Sequence, residues 1–176
     1  ASDWSSDVCS PDLKKVASTI RLFMETRTEG GFGTRRVQVP RRSPVEFEVR
    51  REAFIDEGEV KLARVINTPD GAFVIALQLT THGQMVLQME TTSNRGRRIG
   101  VFSQWSEGRW LAAPQITRTI EDGVFMFTPD CTREEAERIV KGLNNVAIAV
   151  KNQPKPGKKS KAAEDEDDMS RFKTYR

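Results

Sequence analysis

The chain is short of the residues that usually build reaction centres. It holds one histidine and two cysteines in 176 residues. Cys9 and Cys131 are far apart and neither belongs to a C-x-x-C pair. That spacing offers no disulfide framework, no cysteine-ligated metal site and no dithiol redox motif. His82 has no Cys, Asp or Glu at metal-ligand spacing. Beside Thr81 it reads as the exposed first turn of a helix, and a general base would also need an oriented partner. Glu121 and Asp122 are adjacent and sit in a turn, so they make no acid/base couple. No glycine-bearing loop accompanies the acidic run Asp165, Glu166, Asp167 and Asp168, which reads as a solvated stretch and not a calcium loop. Cys131 precedes a helix, where thiol pKa values can fall, but no base stands beside it in sequence. The expectation is no catalytic residue, no cofactor, no metal and no small-molecule substrate. No apolar run is long enough to span a bilayer, and no charged segment followed by an apolar run marks a signal peptide.

Charged residues make up 30% of the chain and apolar ones 37%. With this length they suggest one domain with tails. Residues 2–13, SDWSSDVCSPDL, have no periodicity and resemble a sequencing adapter translated in one frame. Residues 1–13 are therefore set aside as a foreign, disordered segment, with Trp4 and Cys9 carrying no functional weight. The native N-terminus is then missing, and membrane attachment through it stays open. Residues 14–150 form the expected domain. Residues 151–176 are Pro/Lys-rich and then acidic, with too little apolar surface to offset ordering entropy, and are expected to be disordered.

The clearest element lies in the stretch 111–145. Thr132 and Glu135 form a T-x-x-E capping box after Pro129 and Asp130. Ala136, Ile139, Val140, Leu143, Val146 and Ala147 recur at helical spacing. Gly142 costs such a helix about 1 kcal/mol against alanine, which points to close approach of another backbone. A second helix is expected from about His82 to Asn94, capped by Thr80 or Thr81. Its stripe is Met85, Val86 and Met89, with Leu87 flanking. Strands are expected at 19–25, around Val37 and Val39, at 45–50, 60–66, 73–79, 98–103, 110–117 and 124–128. Asn67, Pro69, Asp70 and Gly71 mark a tight turn, and Ala72 and Ala76 suit a central strand at 73–79. The fold class is α+β: an antiparallel sheet with two helices packed on one face, preceded by a small β-meander.

Two surfaces stand out. Trp105 and Trp110 flank the turn of a hairpin, with Phe102 and Arg109 beside them. Aromatics at a loop tip are enriched at interfaces, though they also fold back onto small cores. Phe102, Trp105, Arg109 and Trp110 are the candidate protein-binding residues. Arg35, Arg36, Arg41, Arg42, Arg50 and Arg51 cluster on the early strands. Such arginines can meet phosphates, but without interleaved aromatics they more often form a solvated face.

Spread through 73–143 is a series of short motifs. They are Leu79, Thr80 and Gly83; then Thr92, Asn94, Gly96, Arg98 and Ile99; then Ala113, Pro114 and Ile116; and last Gly123, Phe127, Thr132, Glu135 and Ala136. In order and spacing they resemble the head subdomain of the first periplasmic domain of SecD, a subunit of the bacterial protein-export machinery, and mark 59–148 as head-like. The resemblance implies an extracytoplasmic protein, periplasmic or lipid-anchored, that contacts polypeptide or an envelope protein. SecD also has transmembrane helices and a base subdomain, which have no counterpart in this sequence. The implied function is a non-enzymatic binding module connected to protein export. The alternatives are a structural or adaptor protein of the cell envelope and a basic nucleic-acid binder.

Overall fold

The structure is a computed structural model, and it describes residues 17–26, 33–40, 44–105 and 107–152. In chain order the elements are β1 Thr19–Met24, β2 Thr34–Val39, β3 Val45–Arg50, a 3-10 turn Glu57–Glu59, β4 Val60–Asn67 and β5 Phe73–Leu79. There follow α1 Thr81–Ser93, β6 Ile99–Gln104, β7 Gly108–Ala112, β8 Val124–Phe127 and α2 Arg133–Asn152. Among the described residues the class is α+β with antiparallel strands and two α-helices. The strands form three sheets, ordered β4-β5-β8, β1-β6-β7 and β2-β3.

Alternation decides which face of β4-β5-β8 is buried. Ala63, Leu77 and Phe125 align across the strands, as do Val65, Ile75 and Phe127. These two rows point to one side, because side chains alternate with period two. Against them α2 lays Ala136, Ile139 and Leu143, and α1 contributes Leu87, all in one core. Ile20, Leu22 and Met24 of β1, each fully buried, join the same core with Ile99, Val101 and Leu111. The first strand thus leaves its sequence neighbours and pairs along its length with β6. Its end still touches the β2–β3 hairpin, through the Glu25–Val49 bridge and the bond from Thr26 N–H to Glu48 C=O.

The expected start of α2 is present. Glu135 N–H donates to Thr132 Oγ1 at 3.3 Å, and Thr132 N–H donates to Glu135 Oε2 at 2.9 Å. The chain before β1 passes so close that a Cβ on Gly142 would lie 2.7 Å from the backbone N of Ser18. Glycine is what admits that approach.

One expectation is narrowed and two are corrected. Of the two threonines it is Thr80 that caps α1, its Oγ1 accepting from Gly83 N–H at 3.1 Å. The buried face of α1 is Gly83, Leu87 and Thr91, while Met85 and Met89 are 63% and 61% exposed. Small residues let the helix sit low on its neighbours, and Thr91 is tolerated there because its hydroxyl is fully bonded. That hydroxyl donates to Leu87 C=O at 2.7 Å and accepts from Ile120 N–H at 3.1 Å. The strand expected over 110–117 ends at Ala112. Beyond Pro114 only the isolated bridge Arg98–Gln115 remains, since proline has no N–H for a ladder.

Candidate polypeptide-binding surfaces

The hairpin β6–β7 carries the residues singled out from sequence, and the structure separates them. Trp110 is 8% exposed and belongs to a second core with Val37, Val39, Phe47 and Val49. Phe23 and Phe102 meet its ring edge-on, with centroids 5.2 and 5.3 Å away. Trp110 is therefore a packing residue, and Phe102 is half-buried against it. Trp105 is half-buried over the main core. The Arg109 guanidinium lies 5.3 Å from the centre of its ring. Arg109 also donates from Nη2 to Asp130 C=O at 2.8 Å and to Glu135 Oε2 at 3.1 Å, tying the hairpin to the start of α2.

Cys131 lies in this knot. Burial pushes its thiol up to about 11, with the Glu135 charge adding to the effect and Arg109 opposing it. Desolvation outweighs the helix N-terminus, and the thiol stays protonated near neutrality.

His82 is 72% exposed at its side chain, and its Nδ1 lies 2.9 Å from Glu59 Oε1. Thr80 Oγ1 donates to the other oxygen of Glu59. Burial raises the Glu59 carboxyl, but hydrogen bonds from Thr80 and His82, the His82 charge and the Gly83 N–H outweigh it, so the net direction is down. The arrangement clasps the 3-10 turn to the first turn of α1, and Thr80 N–H to Glu59 C=O at 2.8 Å closes it. Asp122 Oδ1 accepts from Val124 N–H at 3.1 Å and so shapes a turn. Among the described residues no three His, Cys, Asp or Glu side chains come together as a metal site.

The described arginines of the early cluster are engaged by the protein. Arg35 stacks 6.0 Å from the Trp110 ring centre, and Arg36 lies 3.9 Å from Glu48. Arg50 pairs with Glu90 at 3.3 Å, and Arg51 Nε donates to Thr34 C=O at 3.3 Å. Arg41, Arg42, Trp4, Cys9 and the acidic run 165–168 lie outside the described residues.

A second surface was not recognised in the sequence. Among the described residues β4 is one of the two edge strands of its sheet, β8 being the other, and α2 runs beside β4. Between them lies a groove of about 520 Å³. At one end Asn144 bonds to Ala63: Ala63 N–H donates to Oδ1 at 2.8 Å, and Nδ2 donates to Ala63 C=O at 3.1 Å. At the other, Arg133 Nη1 donates to Asn67 Oδ1 at 2.6 Å. The only local signal was a polar Asn144 next to Leu143 in an apolar stripe. Edge status comes from strand order, which no short window of sequence reveals.

No family model and no curated protein matches the sequence. Solved structures do. One is SecDF, described as a membrane component that enhances protein export. It is 16% identical with a TM-score of 0.55, over 74% of this chain and 64% of that chain. The chain therefore spans less than two thirds of the SecDF chain it matches. SecDF in a super-membrane-facing form is 12% identical with a TM-score of 0.49, over 77% of this chain and 30% of that one. SecDF from Thermus thermophilus, a translocon-associated membrane protein, is 15% identical with a TM-score of 0.46, over 75% and 20%. The first of these shows a shared SecD-like fold.

The residues of the resemblance act structurally here. Asn94 caps α1 and is 6% exposed, its Nδ2 bonded to Glu90 C=O at 3.0 Å. Gly96, at φ +80°, turns the chain out of the helix. Arg98 pairs with Glu25 at 3.6 Å. Among the described residues no helix is long and apolar enough to cross a membrane.

Proposed function

We propose that this chain is a non-enzymatic, extracytoplasmic module that binds polypeptide and is linked to protein export. The observation that carries this reading is the edge of β4 beside the α2 groove. A strand edge bonds through backbone groups, which every polypeptide has, so it suits a binder of many sequences. The SecD-like fold supports the export link and the location outside the cytoplasm. The hairpin offers a second contact surface. In this reading Trp105 and Arg109 meet the partner, and Phe102 and Trp110 support them from beneath.

The test is capture of a chemically unfolded secretory protein by the immobilised chain, compared with capture of the same protein folded. Binding of the unfolded form only is expected. Equal or absent capture of the two overturns the reading. Trp105→Ala measures the hairpin's share; Trp110→Ala is unsuitable because it would empty the second core.

One observation favours a constant-partner adaptor instead. On the sheet face away from the helices, Ile66 is 42% and Met126 51% exposed, paired across the strands with Val74 and Ala76 respectively. Cross-linking in cells separates the readings, since one invariant partner is the adaptor's signature.

A further inference from the structure

In an antiparallel ladder, alternate residues turn both backbone groups away from the partner strand. On β4, Ala63 is one of these, because both its N–H and its C=O meet Asn144 and not β5. One side-chain amide supplies the two bonds that a neighbouring strand would supply. Val65, two residues on, turns its N–H and C=O to the same side and lines the groove. Asn144 is thus a one-residue imitation of a strand, and the groove continues past it.

We infer that this edge receives an extended polypeptide segment rich in acidic side chains as a fourth strand, with Asn144 holding the place of its backbone until it arrives. The inference rests on the polypeptide-binding reading above and names its site and ligand class. Exchange of Asn144 for an incoming amide keeps both Ala63 backbone groups bonded, while the half-buried Asn144 amide turns out to water. Charge selects the occupant. Arg64, Arg133 and Lys141 rim the groove, against a single Glu137 that is already 3.1 Å from Arg133. A second copy of this edge would bring like charges together, whereas alternating carboxylates on an added strand would lie between them.

The probe is a fluorescent peptide alternating valine with glutamate, with a valine–lysine peptide as control. The acidic peptide is expected to bind, more weakly as salt rises, and the basic one not to bind. Asn144→Ala opens the Ala63 pair and is expected to tighten binding about tenfold. Val65→Pro deletes a donor that points outward, so the ladder to β5 survives while binding is lost. Lys141→Glu, on an exposed position, weakens binding without touching the core. Circular dichroism checks that each variant is folded. The site is overturned if folded Val65→Pro and Lys141→Glu bind the acidic peptide as the parent does, or if Asn144→Ala dimerises without binding it. If those variants still capture an unfolded secretory protein as the parent does, this edge falls and polypeptide binding rests on the hairpin surface alone. If the parent captures neither, both fall.

Discussion

Single residues show most directly which force wins. At Gly142 helix propensity favours alanine by about 1 kcal/mol. A Cβ there would meet Ser18, including its backbone N at 2.7 Å, which cannot swing aside as a side-chain tip would. Gly142→Ala is therefore expected to destabilise the fold by about 1–3 kcal/mol, read by urea denaturation. An unchanged or raised midpoint would mean that the chain before β1 is free to move. Glu59 gives a pH dependence with a definite sign. Its carboxyl lies below the reference value of 4.5 in the folded state, despite burial, because Thr80, His82 and Gly83 bond to its charged form. The unfolded chain then takes up the proton first, so this stabilisation is complete above about pH 4.5 and is lost as pH falls through the lowered value. Glu59→Gln should flatten the acid side of a melting-temperature profile; an unaltered slope would remove Glu59 from the account.

Elements were legible where several signals agreed. For α2 the capping box, the acidic first turn and a continuous stripe all pointed one way, and Ala136, Ile139, Leu143 and Ala147 are buried as that pattern requires. The helix runs to Asn152, two residues into the segment expected to be disordered. For α1 the signals conflicted. Hydrophobicity favoured Met85 and Met89, but the neighbouring elements meet Gly83, Leu87 and Thr91. Close approach rewards small residues and a self-satisfied hydroxyl, and no hydrophobic count registers either. The two readings of α1 predict opposite mutants. Met89→Lys should change stability by no more than about 0.5 kcal/mol. Leu87→Ala should cost about 2–5 kcal/mol, because it empties a fully buried site. A large loss from the lysine variant would restore the methionine stripe as the packed face.

At the scale of the whole molecule, the sequence revealed which segments are strands better than which strands are neighbours. Alternation assigns Ile20, Leu22 and Met24 to one face, yet says nothing of the pairing with β6 some eighty residues later; Ser103 Oγ donating to Thr19 C=O at 2.9 Å is such a contact. The same blindness hid the candidate site. Trp105 and Trp110 drew notice because aromatics are conspicuous, and Trp110 proved to hold the second core together. The β4 edge carries no conspicuous residue, and its character comes from standing outermost in β4-β5-β8 among the described residues. The measurement that tests the central claim most directly is a backbone amide NMR titration of the full chain with the acidic valine–glutamate peptide. The account predicts shifts concentrated on β4, largest at Ala63 and Val65, with matching changes at the Asn144 side-chain amide. Shifts confined to the β6–β7 hairpin, or none at saturating peptide, would contradict it.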